Sequence, residues 1–376
     1  MTFDGYSTIG ELDPLQQPLD TALVCNDTPV STSLAALDPY LNPQAVVLTS
    51  HSSRQIVQRT GAQTVITFRG NYYGQQSAVE LRYNGGAWTG ATTNRPAGTW
   101  AATMSLASGQ GNLEARLNGN DATKITLSYF GVGDVIVIGG QSNGAGRGLA
   151  NQTYANPTLK AASFKKSYVW DDMLDPTTDS TGALDAVLYD YDAGGMGSVW
   201  PLVATGYMAA RGWPLAIVPS CKGGTGIALW TPPATPFDRS TLCGAMMYRA
   251  QVTGAKLICW WQGEGGIDDV TGASYYVPYM QMSAAVAANL PGVKVMPCKL
   301  QYCTGVTDPR NINGWTAIQY IWNNDPNSVT GPTMANNAPP IAGDLSSDDA
   351  FHLQINAKLQ TAADRWVAAL LAVLPA

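Results

Sequence analysis

The chain divides by the period at which its apolar residues return. From Ala45 to Phe130 they come in short alternating or β-branched runs: Ala45–Ser50, Gln63–Arg69, Ala78–Asn84, Thr99–Leu106, Asn112–Leu117 and Lys124–Phe130. A period of two marks a half-buried strand, and breaks such as Asn84-Gly85-Gly86 supply the turns. Strands at this spacing predict a small β-sandwich domain over residues 45–130. After Gly131 the apolar runs become continuous, as in Asp134–Gly139, Pro214–Pro219, Ala255–Trp261 and Val293–Leu300. Runs apolar on every position suit strands covered on both faces. Helices are predicted near Val199–Arg211, Arg239–Gln251, Ala273–Asn289, Asn311–Asn323 and Gln354–Leu374. This alternation predicts an α/β domain over residues 131–376, a three-layer α/β/α arrangement on a mainly parallel sheet, with its chemistry at the carboxyl ends of the strands. Residues 1–44 contain Pro14, Pro18, Pro29, Pro39 and Pro43 and show little periodicity, so they read as an extended N-terminal arm or attachment segment.

Composition narrows the function classes. Charged residues are 13% of the chain, against about 25% in an ordinary globular domain, and 11 Trp, 17 Tyr and 6 Phe exclude intrinsic disorder. A net charge of −6 offers nucleic acid no electrostatic footprint. The opening residues lack the basic and apolar regions of a signal peptide. The uncharged run Tyr275–Val293 is interrupted by Pro, Gln, Ser and Asn, so no membrane span is expected. The six cysteines form no C-x-x-C pair and the histidines are only two, so neither a metal nor any other cofactor is expected. A Cys298–Cys303 bridge stays open at this level.

The candidate chemistry begins where the run Asp134–Gly139 ends, in Gly139-Gly140-Gln141-Ser142-Asn143-Gly144. A serine between glycines after a buried strand sits on a tight turn at the sheet's edge, and Gly140-x-Ser142-x-Gly144 fits the nucleophile-elbow pattern. A plain glycine-rich loop fits as well. A serine nucleophile needs a base, which leaves His51 or His352. His51 falls in the β-rich region and suits a strand-end role. His352 follows Asp349 by three residues, close enough in a turn for the carboxylate to orient the imidazole. Two further loops can supply donors to an oxyanion: Ser220-Cys221-Lys222-Gly223-Gly224-Thr225-Gly226, and Gln262-Gly263-Glu264-Gly265-Gly266.

Taken together, Gly140-Gln141-Ser142-Asn143, Gly223-Gly224-Thr225, Trp261-Gln262-Gly263-Glu264 and Asp349-x-x-His352 resemble four successive blocks of the SGNH (GDSL-like) hydrolases. They are most similar to the branch of sialate O-acetylesterases and related carbohydrate acetylesterases. The likeness runs from about Val132 to the C-terminus. It implies Ser142 as nucleophile, His352 as base and Asp349 as its orienter. The implied oxyanion hole consists of the Ser142 N–H, the Gly223 N–H and Gln262. Many SGNH enzymes carry Asn where this chain has Gln262. Asn143 is expected to hold the serine turn and Glu264 to brace its loop.

The implied function is a serine esterase removing O-acetyl groups from a carbohydrate, a glycan or polysaccharide, through an acyl-enzyme. A non-catalytic glycan-binding or structural protein on an esterase scaffold is the alternative. Arg147 either meets a sugar carboxylate or braces its loop. Trp230 and Trp200 either stack on a sugar or pack in the core. Low charge with a proline-spaced arm also resembles phage tail or other extracellular structural proteins. On that resemblance the setting is extracellular or virion-associated, with the arm attaching the esterase to a larger assembly.

Overall fold

The computed structural model describes residues 44–73, 78–94, 97–190, 196–264, 269–303, 308–337 and 339–376. Residues 1–43 of the expected N-terminal arm, Cys25 among them, and Gly265 and Gly266 lie outside the described residues. The strands are β1 (Ala45–Leu48), β2 (Ile56–Gln58), β3 (Gln63–Tyr73), β4 (Val79–Tyr83), β5 (Thr89–Gly90), β6 (Thr92–Asn94), β7 (Thr99–Ala107), β8 (Gly109–Leu117), β9 (Asn120–Gly140), β10 (Ala162–Phe164), β11 (Trp170–Asp172), β12 (Leu215–Pro219), β13 (Leu257–Trp261) and β14 (Lys294–Pro297). The helices are α1 (Ser142–Ala145), α2 (Trp200–Arg211), α3 (Leu242–Thr253), α4 (Ala273–Asn289), α5 (Pro309–Asn324) and α6 (Asn356–Val373). The chain divides into two compact units.

The first unit takes the described residues before Ser52, with Thr67–Met104 and Leu113–Thr126. One set of strands runs in the order β1-β3-β7-β6. Trp100 locks it, donating its indole N–H to the carbonyls of Val47 at 3.2 Å and Asn71 at 3.1 Å. In a second set β4 pairs antiparallel with β5 and β8. Asn118 and Gly119, at φ of +51° and +70°, turn β8 into β9, as a type I′ hairpin requires.

The second unit takes Ser52–Ile66, Ser105–Asn112 and Leu127–Ala376. At its centre β9 pairs parallel with β12 and β13, β12 with β10, and β13 with β14. Side chains alternate between the two faces along β9. Val135 and Val137 join a core with α3, α4 and α5, while Ile136 and Ile138 join a second core with α2 and α6. Every residue of β12 and β13 is buried, which accounts for their unbroken apolar runs.

Two expectations need correction, and one question left open by the sequence is answered. The sheet of the second unit is mixed rather than mainly parallel, because β11 pairs antiparallel with β10 while β10, β12, β9, β13 and β14 run parallel. The runs Lys124–Phe130 and Asp134–Gly139 are one strand of 21 residues. The glycines between them signal close approach: β2 pairs in parallel with Gly131–Gly133, and a Cβ on Gly133 would strike the Pro214 carbonyl. Finally, Cys298 and Cys303 are both buried thiols outside any disulfide, so the bridge left open by the sequence is not formed.

Candidate active site

The serine stands where β9 ends. Gly140 has φ of +106°, and a Cβ there would collide with the Trp261 carbonyl, so the chain can leave the sheet only through glycine. The next residue ties back to the sheet, Gln141 N–H donating to Trp261 O at 2.9 Å. Ser142 opens the short helix α1, so its N–H belongs to the first turn, where amides have no intrahelical acceptor. The far end of this turn is held from the core. Trp200 Nε1 donates to Gly144 O at 2.7 Å, and Thr178 Oγ1 donates to Ala145 O at 2.7 Å.

The histidine arrives from the loop before α6. His352 Nε2 lies 3.0 Å from Ser142 Oγ, and His352 Nδ1 lies 2.8 Å from Asp349 Oδ2. The side chains of His352 and Asp349 are 22% and 41% exposed, whereas Ser142 is 6% exposed. Burial works to raise the Asp349 carboxyl. The N–H groups of Phe351 and His352, both 2.7 Å from Oδ1, together with the imidazole, outweigh it and hold the carboxyl below the usual range. The three side chains form a hydrogen-bonded line from carboxylate to imidazole to hydroxyl. In that geometry an imidazole can take the hydroxyl proton as the oxygen attacks a carbonyl.

His51 is elsewhere in chemistry as well as in sequence. Its Nδ1 is 2.7 Å from Ser50 Oγ, its ring packs 4.9 Å from that of Phe68, and burial pushes its pKa down to about 4.

The two donor loops come to the same strand ends but are engaged with the protein. After β12, the Lys222 N–H donates to Gly140 O at 3.0 Å. Gly223 N–H donates to Asp190 Oδ2 at 2.8 Å. After β13, Gln262 Nε2 donates to Thr225 O at 3.1 Å and approaches Gln141 Oε1 at 3.4 Å, while its buried Oε1 has no hydrogen-bond partner among the described residues. The expected Gly223 and Gln262 donors are therefore occupied here, and Gln262 cross-ties the serine turn to the Thr225 loop.

For Trp230, Trp200 and Arg147, each read as a sugar contact or as a packing or bracing residue, the contacts fit the second reading. Trp230 is fully buried, edge-on to Trp260 at 4.9 Å with its indole N–H on Thr225 Oγ1, and presents no face to a ligand. Trp200 is likewise fully buried. Arg147 is 6% exposed, pairs with Asp190 at 3.4 Å and donates to the Gly146 carbonyl, which is the loop-bracing role rather than the sugar-carboxylate one. A Cβ on Gly223 would strike this guanidinium, which explains the glycine. Sequence reasoning missed Asp190. It lies in Tyr189-Asp190-Tyr191-Asp192, a stretch with no motif, and only the fold brings it to Gly223.

Asn143 and Glu264 also differ from expectation in detail. Asn143 Nδ2 donates to Glu264 Oε1 at 2.6 Å and to Phe351 O at 3.0 Å, and Asn143 Oδ1 accepts the Leu353 N–H at 3.0 Å. Burial pushes the Glu264 carboxyl up against the opposing pull of Asn143. Among the described residues no group of three His, Cys, Asp or Glu could hold a metal, and no helix is long and apolar enough to cross a membrane.

Residues 132–363 match the family described as carbohydrate esterase, sialic acid-specific acetylesterase. The chain belongs to this family. Its members are hydrolases of carbohydrate esters, and the match agrees with the SGNH-like blocks around Ser142 and His352. Among solved structures, a carbohydrate acetylesterase from Xanthomonas citri is 17% identical, with a TM-score of 0.50 over 86% of this chain and 74% of that one. A protein from Arabidopsis thaliana is also 17% identical, with a TM-score of 0.49 over 64% of this chain and 99% of that one. A family two carbohydrate esterase from Cellvibrio japonicus is 12% identical, with a TM-score of 0.37 over 88% and 97% of the two chains. The first of these similarities shows a shared fold. No curated protein sequence matches the chain.

Proposed function

We propose that the protein is a serine esterase that removes O-acetyl groups from a carbohydrate through an acyl-enzyme. The observation that carries this reading is the line Asp349–His352–Ser142, closed by contacts of 2.8 and 3.0 Å. Ser142 Oγ attacks the acetyl carbonyl while His352 Nε2 takes its proton. The tetrahedral intermediate collapses, the C–O bond to the sugar breaks, and the imidazolium returns the proton to the sugar oxygen. Water then adds to the acetyl-serine, giving its proton to His352, and acetate leaves as Ser142 recovers its hydroxyl. Asp349 holds the imidazole in the tautomer that faces the serine. Ser142 N–H is the oxyanion donor supported by its place at the start of α1. Gly223 N–H joins it when the acyl oxygen replaces Asp190 as its acceptor.

The test is acetate release from a panel of O-acetylated glycans, with an aryl acetate as the general ester, by the native protein and by Ser142→Ala. Equal rates for the two proteins overturn the reading. Glycan retention without acetate release by the native protein would favour the non-catalytic alternative.

Two further parts belong to the same proposal. The N-terminal β unit is read as a small sandwich accompanying the esterase. The setting is read as extracellular or virion-associated, which rests on composition and is checked by looking for the protein in purified particles; confinement of a free monomer to cytosol would contradict it.

A further inference from the structure

Asn143 stands beside the nucleophile, yet its side chain is given to the other arm of the site. Its Nδ2 bonds the carbonyl of Phe351 and its Oδ1 the N–H of Leu353, the residues immediately before and after His352. Its third bond, Nδ2 to Glu264 Oε1 at 2.6 Å, decides which end of the amide faces which way. Both partners of Nδ2 are acceptors and the partner of Oδ1 is a donor, so the reversed amide would set acceptor against acceptor twice and donor against donor once. Gln301 Nε2 adds a second donor to Phe351 O at 2.9 Å. Asn143, Glu264 and Gln301 are 5%, 2% and 0% exposed, so water does not compete for these bonds.

We infer that Asn143 is a positioning residue that clamps the backbone on both sides of His352, and that Glu264 is the acceptor fixing the polarity of the clamp. The inference rests on the serine-esterase reading. It explains how a loop joined to Ser142 through 210 residues of chain keeps Nε2 at 3.0 Å from Oγ. Misplacement of a catalytic group by about 1 Å costs on the order of 10²-fold in rate.

The test is kinetic, on an aryl acetate, with thermal unfolding as a fold check. Asn143→Asp turns the Nδ2 donor into an acceptor facing Glu264 Oε1 and Phe351 O, and kcat should fall about 10²-fold with KM held within about threefold. Adding Glu264→Gln restores a donor opposite the new carboxylate, and the double variant should regain about tenfold over Asn143→Asp. Asn143→Ala, which offers no partner, should lose about thirtyfold in kcat and gain nothing from Glu264→Gln. An Asn143→Asp protein within about threefold of native kcat, or a double variant no faster than Asn143→Asp, overturns the clamp. Should Asn143→Asp not fold, Asn143→Ala decides alone, and a loss confined to KM overturns the clamp. A Ser142→Ala protein as active as native overturns the esterase reading itself, and with it the reason for a clamp. An inactive Ser142→Ala beside a near-native, folded Asn143→Asp overturns the clamp only.

Discussion

The two arms of the candidate site are built in opposite ways. Ser142 is carried on the end of a core strand, 6% exposed, with the following turn pinned by Trp200 and Thr178 from inside the protein. His352 and Asp349 sit on a loop whose side chains are 22% and 41% exposed, held by short-range bonds to its own backbone and by Asn143 from the serine side. The serine arm is held by hydrogen bonds from side chains buried in the core, whereas the histidine arm is held by hydrogen bonds within and onto a partly exposed loop. Damage to the supports of the first should therefore appear as lost stability, and damage to the supports of the second as lost rate.

The sharpest test removes each arm. Ser142→Ala and His352→Ala should each lower kcat on an aryl acetate by at least about 10³-fold with native unfolding profiles, since neither side chain is a core element. Activity surviving either change would break the comparison at its root. Next, Asp349→Asn removes the orienting charge while keeping size, and kcat should drop by about 10²- to 10⁴-fold with little change in denaturant midpoint. Trp200→Phe is the counterpart on the serine arm. It strands the buried Gly144 carbonyl, so stability should fall by about 1–3 kcal/mol in urea unfolding, with a smaller effect on rate than Asp349→Asn. If Trp200→Phe lowered rate more than stability, the two arms would not differ in the way their supports act.

The smallest effect concerns the other histidine. His51→Gln should leave turnover unchanged. His51 is held neutral by burial, with its pKa down to about 4, so below the ordinary imidazole value of about 6.5 the unfolded chain binds a proton that the folded chain refuses. Its neutral form therefore costs stability as pH falls between those two values, and thermal unfolding of His51→Gln should depend less on pH across that window.

Much of the architecture was legible because burial leaves a period in the sequence. The continuous runs Leu215–Pro219 and Leu257–Trp261 lie between two helical layers, and the predicted helix Ala273–Asn289 has those bounds in the structure. The length of β9 was not legible, because Gly131 and Gly133 look like a turn until β2 and Pro214 are seen pressed against them. The mixed sense of the sheet escaped for a similar reason, since strand direction is a property of connections rather than of composition.

The sequence by itself singled out the candidate reacting groups. With two histidines in the chain and a carboxylate three residues before one of them, the choice of a serine, a base and an acid is limited by which side chains are present and how they are spaced. Only the tertiary structure decided what surrounds them. It buried Trp230, paired Arg147 with Asp190, engaged the Gly223 N–H and placed Asn143 across the His352 loop. Those outcomes depend on which distant groups arrive within about 3 Å of one another, and a hydrogen bond that falls off over a fraction of an ångström leaves no period in the sequence to read.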